Sequence, residues 1–69
     1  MAEASFDIFP NPSIDIAHFT EEQEIVEVFN SQGEFVEAFE NVESIDVSNY
    51  DPGMYVLQTN EGYKRISVK

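Results

Sequence analysis

Sixty-nine residues suffice for one small domain with a single core and exclude a second; a chain of this size buries only about 60% of its unfolded surface. Its 42% hydrophobic and 13% aromatic content is too apolar for a disordered acidic tail, and without cysteine it has no disulfide framework and no cysteine-based zinc site. Fourteen acids against three bases give a formal charge of -11, which repels phosphate backbones and anionic lipid and argues against direct nucleic-acid binding. No apolar run approaches the roughly 20 residues that span a bilayer, so no transmembrane segment is expected here.

Residues 1–5 (Met1-Ala2-Glu3-Ala4-Ser5) read as a linker or as the scar of a cut from a longer protein, and residues 6–69 as the folded domain. Along that domain the apolar residues recur at period two in short runs rich in Val, Ile, Phe and Tyr, the pattern of half-buried strands. The runs are Phe6 to Phe9, Ile14 to Phe19, Glu24 to Asn30, Glu34 to Phe39, Ser44 to Val47, Met54 to Thr59 and Tyr63 to Val68, about seven strands. Thr20 with Glu22 and Gln23 imitates a helix-capping box. The β-branched and aromatic run Ile25-Val26-Glu27-Val28-Phe29 that follows favours a sheet instead. Turn chemistry separates several runs: Pro10-Asn11-Pro12, Ser31-Gln32-Gly33, Asn49-Tyr50-Asp51-Pro52-Gly53 and Asn60-Glu61-Gly62. With no helix long enough for a crossover, the strands should pair antiparallel in a two-layer β-sandwich of radius of gyration about 11 Å.

Alternation assigns the faces. Val26 and Val28 bracket Glu27, Ile45 and Val47 bracket Asp46, and Ile66 and Val68 bracket Ser67, so each bracketing pair should face the core. Val26, Val28, Ile45, Val47, Ile66 and either Val56 or Leu57 are the expected centre. The second strand stays open, because Ile14 and Ile16 form one apolar face and Ala17 and Phe19 the other.

The punctuation also carries a family resemblance. Phe6-Asp7-Ile8-Phe9-Pro10-Asn11-Pro12 resembles the Tyr-Pro-Asn-Pro opening of the type A C-terminal sorting domain of the type IX (Por) secretion system of Bacteroidota. Val26 to Gly33 is similar to that family's hairpin of valine, any residue, isoleucine, aromatic, Asp or Asn, two residues and glycine, with Val36 at the apolar position just after. Ile45-Asp46-Val47-Ser48 with Gly53-Met54-Tyr55 is similar to its "IDLS, short loop, G-x-Y" block, and Tyr63-Lys64-Arg65-Ile66-Ser67-Val68-Lys69 to its basic terminal strand. The blocks run in the family's order from Phe6 to Lys69; Phe9 stands where tyrosine is usual, Ser31 where an apolar residue is frequent, and Glu34 where a base is common. The resemblance implies an immunoglobulin-like sandwich attached to a secreted cargo protein. It also implies export by outer-membrane translocon, shuttle and sortase components, and cleavage after transit through the periplasm to the cell surface or medium. Its motif residues here are Pro10, Asn11, Pro12, Gly33, Gly53, Tyr55, Lys64, Arg65 and Lys69.

Catalytic chemistry has little footing in the residues, and no catalytic residue, metal site or cofactor is expected. His18 is the sole imidazole and reads as a surface or sheet-edge residue, and among fourteen acids no carboxylate pair stands out. No nucleophile elbow, phosphate loop or calcium loop is present. Glu21, Glu22, Glu24, Glu27, Glu34, Glu37, Glu40 and Glu43 crowd the middle of the chain, whereas Lys64, Arg65 and Lys69 hold every positive charge in the last six residues. That segregation reads either as a solvated face with a self-protecting edge strand or as a dipolar recognition surface. Two other functions compete with a sorting signal: an immunoglobulin-like adhesion or carbohydrate-binding module, and an acidic inhibitor that mimics nucleic acid. The absence of Trp weakens the former and the basic terminal strand the latter. The charge of -11 opposes self-association, so the isolated domain is expected to be a monomer.

Overall fold

A computed structural model describes residues 4, 6–9 and 15–69, and the Pro10-Asn11-Pro12 turn lies outside them. Among the described residues there is no helix. There are five strands: β1 (Ile8–Phe9), β2 (Ile16–Asn30), β3 (Phe35–Asp46), β4 (Gly53–Thr59) and β5 (Gly62–Val68). Every pairing is antiparallel, in the order β1-β2-β4-β5 with β3 also paired to β2. The fold is the all-β antiparallel class expected, with a radius of gyration of 10.6 Å.

The expected seven strands are corrected to five. The second and third expected strands are one 15-residue β2, and the fourth and fifth are one 12-residue β3. Neither Thr20-Glu21-Glu22-Gln23 nor Glu40-Asn41-Val42-Glu43 contains a Gly or Pro to stop pairing. The chain bends there without breaking. Between the pairs His18↔Ser44 and Gln23↔Val42 the register shifts, with four β2 residues facing one of β3, and Asn41 takes a positive φ of 53°. Extra residues on one strand of a pair bend it and sharpen its twist, and Asn tolerates this left-handed conformation better than most residues.

The bend divides the sheet into two arms. One edge of β2 pairs with β3 on both sides of the bend, while the other pairs with β1 at His18–Phe19 and with β4 from Val26 to Asn30. Buried side chains of both arms join in one cluster: Ala17, Phe19 and Ile45 from the first, Val26, Val28, Leu57 and Ile66 from the second. The sheet is therefore folded over a shared core. The N-terminal segment spans the opening. Ala4 N–H donates to the Tyr63 carbonyl of β5 (2.9 Å), Phe6 packs edge-on to Phe19 with centroids 5.6 Å apart, and Asp7 and Thr20 exchange backbone and hydroxyl hydrogen bonds on β2.

All the expected core residues are buried, and the open choice falls to Leu57, which is fully buried where Val56 is half-buried. Ala17 and Phe19 face inward and Ile16 outward, which fixes the second expected strand. Along β2 the inward residues are Ala17 and Phe19 up to the bend, Gln23 at its far end, and Val26 and Val28 beyond it, a change of phase from odd to even positions.

Candidate recognition surface

Three local arrangements shape one end of the second arm. At the β2–β3 turn Asn30 holds the chain. Its Oδ1 accepts from the N–H groups of Gln32 (2.9 Å) and Glu34 (3.0 Å), and its Nδ2 donates to the Glu34 carboxylate (3.0 Å). Gly33 supplies the left-handed residue that the turn requires, at φ 82°, and donates its N–H to the Asn30 carbonyl. Asn30 is the residue that a reading centred on glycine undervalues; an Asn three positions before a Gly is its sequence signal.

Between β3 and β4 the chain turns at Asp46, whose Oδ1 accepts from the Ser48 N–H (2.8 Å) and hydroxyl (2.6 Å). The hydroxyl bond first and the amide bond second hold the Asp46 carboxyl below its ordinary pKa. Tyr50 then tilts against Tyr55 with ring centroids 5.1 Å apart. Burial pushes the Tyr50 hydroxyl well above its ordinary pKa, and the nearby Glu37 carboxylate adds to the shift. Tyr55 is buried, and its hydroxyl donates to the Asp51 carbonyl at 2.6 Å, the partner a buried Tyr demands. Gly53 opens β4 at φ 151°. An added Cβ would meet nothing within 4 Å at Gly33 or Gly53, so backbone conformation and not space selects glycine there.

At the opposite end the β4–β5 turn is fastened to the bend of β2. Gln23 is fully buried; its Nε2 donates to the Glu21 carbonyl and to the Glu61 carboxylate, both at 3.1 Å, and Glu24 N–H donates to Asn60 Oδ1 at 3.2 Å. Nothing in the alternation marks Gln23 as a core residue.

The pairings decide which motif residues meet. Asn30 lies opposite Tyr55, Tyr55 opposite Ile66, and Gly53 opposite Val68. The Gly33 turn, Gly53, Tyr55 and the strand leading into Lys69 thus share one end of the sheet. The basic residues do not share one face. Lys64 pairs with inward-facing Leu57, and its half-buried side chain reaches Asp7 at 3.5 Å. Arg65 pairs with outward-facing Val56, is exposed, and lies over the Tyr63 ring at 5.6 Å. Lys69 is exposed beyond β5. His18 is exposed and stacks on Phe9 with centroids 5.4 Å apart, and no metal-binding cluster of acids and His occurs among the described residues.

On the outer face of the same arm, Phe35, Phe29, Val56 and Arg65 form one cross-strand row over all four strands. Phe29 and Phe35 meet edge-on at 5.9 Å, while Phe35 and, beside Val56, Met54 are 58% and 50% exposed. A cleft of about 310 Å³ opens next to the row, between Phe29, Val56, Gln58 and the Asn30–Gly33 turn.

The described residues form a small antiparallel β module, one sheet folded over a single core. The family model of the secretion system C-terminal sorting domain matches residues 7–69, and the chain belongs to that family, the sorting domains of type IX secretion. No curated protein and no solved structure matches the chain. The family is one of sorting signals and not of enzymes, and membership implies a secretion apparatus as partner, a cargo in the same protein, and export toward the cell surface or beyond. No helix among the described residues is long and apolar enough to cross a membrane.

Proposed function

We propose that the domain is a non-enzymatic address, read as a folded module, that takes an N-terminal cargo from the periplasm across the outer membrane and is then cut off by the sortase. The observation that carries this reading is the family match over residues 7–69. The convergence of the Gly33 turn, Gly53, Tyr55 and the terminal strand at one end of the sheet supports a compact recognition surface there. In this reading Pro10, Asn11 and Pro12 direct the chain into the first arm, Gly33, Gly53 and Tyr55 set the shape of the end, and Lys64, Arg65 and Lys69 orient docking on an acidic partner. Complementary charge sets encounter rate and orientation more than raw affinity. Neither a metal nor a cofactor is needed, and the isolated module is a monomer.

The test fuses residues 5–69 behind a periplasmic fluorescent reporter in a Bacteroidota host. The reporter should appear outside the cell and the domain should be missing from its mature form. Reporter retained in the periplasm by a folded domain refutes the sorting role, and exported reporter that still carries the domain refutes the cleavage step.

A further inference from the structure

We propose that the outer face of the second arm, the row Phe35–Phe29–Val56–Arg65 with Met54 and its adjoining cleft, is the surface on which the export apparatus docks. The occupant is an extended protein segment that presents an apolar side chain to the cleft and a carboxylate to Arg65. This rests on the sorting role proposed above.

The argument starts from what a solvated sheet face should look like. One face of such a sheet packs on the core and the other is polar. The outer face here departs from that chiefly around one row, where Phe35 is 58% exposed, Met54 50% and Val36 36% beside half-buried Phe29 and Val56; Ile25, at 41%, is a separate exposed apolar residue further along β2. Core burial does not require these side chains, since Val28, Tyr55 and Leu57 already fill the inner face of the same strands. Contiguous exposed apolar groups rimmed by polar ones mark interaction sites. The rim here is Asn30, Ser31 and Gln58 around the cleft and Arg65 at the end of the row.

Charge selects the occupant. The domain carries -11, so its general field repels acidic partners, and the row ends in an exposed guanidinium, one of only three cations in the chain. Lys64 reaches Asp7 on the other side of β5 and is turned away from this face. On this face a partner carboxylate therefore has Arg65 as its counterpart, beside the apolar row. Neighbouring strands lie about 4.8 Å apart, so the cleft, lined by both Phe29 and Val56, lies about one and a half spacings, roughly 7 Å, from Arg65. An extended partner with an apolar and an acidic residue two positions apart, about 7 Å, spans that interval. A cleft near the low end of the volume range for ligand sites accommodates one side chain and not a long ligand. An anionic bilayer meets the same Arg65 but also the repulsion of the whole domain.

The experiment compares export of the full chain behind the reporter for wild type, the double variant Phe35→Ser with Met54→Ser, Arg65→Glu, and the control Phe9→Ser with Ile16→Ser. The control residues are exposed apolar groups of the first arm, at 51% and 37%. Each purified domain is checked for folding by circular dichroism. The expected result is a loss of at least tenfold in export for the first two variants, both folded, with the control within twofold of wild type. Export of the folded outer-face variants at the wild-type level overturns the inference and leaves the sorting role standing; so does an equal loss in the control. Wild type that stays in the periplasm removes the sorting role and the inference with it. In a parallel flotation with vesicles of phosphatidylglycerol and phosphatidylcholine, neither wild type nor the double variant should bind. Binding lost in the double variant assigns the face to lipid and overturns the protein occupant.

Discussion

Two isoleucines with opposite surroundings test the assignment of faces. Ile66 of β5 is fully buried, opposite Tyr55 and in one core cluster with Leu57, whereas Ile25 of β2 is 41% exposed on the outer face. Either change to Ala removes the same three carbons. At about 0.8 kcal/mol per buried methylene the transfer loss for Ile66→Ala is about 2.4 kcal/mol. The cavity left in a core that cannot fully collapse raises it to about 3–4 kcal/mol, within the range for such truncations. A domain of this length has a total stability of about 3–10 kcal/mol, and each kcal/mol moves the Tm of so small a domain by about 4–8 °C. Ile66→Ala should thus lower Tm by at least 12 °C or so, or leave the chain unfolded. Ile25→Ala forfeits roughly half of the transfer value, about 1 kcal/mol, and leaves no enclosed cavity. Urea unfolding followed by circular dichroism separates the two by midpoint at constant slope. Equal midpoint shifts would show that the inward and outward faces of this arm are misassigned.

Tyr55→Phe keeps the ring and deletes the hydroxyl bond to the Asp51 carbonyl, so it should cost about 1 kcal/mol; an unchanged urea midpoint contradicts a structural role for that bond. Asp46 has a folded-state pKa lowered by Ser48, so its contribution is present above the ordinary carboxylate value and is lost as pH falls through the folded one. Ser48→Ala should raise the Asp46 pKa in a carbon-13 NMR titration, and an unmoved curve refutes the assignment. The Tyr50 hydroxyl is shifted the other way, so its contribution is complete below about pH 10, the ordinary tyrosine value, and fades as pH rises beyond it. Tyr50→Phe should flatten the fall in urea midpoint between about pH 10 and 11, and an identical slope in both proteins shows that Tyr50 does not titrate with folding.

Period-two alternation was enough to identify the strands and most of the core, because each run between turns keeps one side dry. Val26, Val28, Ile45, Val47 and Ile66 are all buried as the bracketing of Glu27, Asp46 and Ser67 implies. What alternation could not carry is continuity through a bend. In β2 the inward positions change from odd at Ala17, Phe19 and Gln23 to even at Val26 and Val28. A change of phase without Gly or Pro has the same sequence appearance as two strands and a polar loop. Only the pairing with β3 and the N-terminal segment reveals one strand passing from arm to arm. Gln23 was illegible for the same reason: a polar residue enters the core when a bend brings Glu21 and Glu61 within reach of its amide.

The motif residues of the last strand show a second limit of linear reading. Lys64 and Arg65 are neighbours in sequence and look like one basic patch, yet strand geometry sends successive side chains to opposite faces. Lys64 joins β5 to the N-terminal segment through Asp7, a contact that screening and the exposure of Asp7 make weak in stability. Arg65 stands at the end of an apolar row whose other members come from Phe29, Phe35 and Val56, residues scattered over nearly thirty positions and assembled only by register. The acidic middle of the chain has the complementary consequence. Glu27 and Glu40 lie on the outer face through the pairing of β2 with β3, Glu27 next to Phe29 along β2 and Glu40 further on beside Ile25, so negative charge borders one long side of the row. In the docking proposed above, a partner carboxylate would be drawn to Arg65 and repelled beside Glu27. Arg65 and the acidic border together give the proposed docking face a direction.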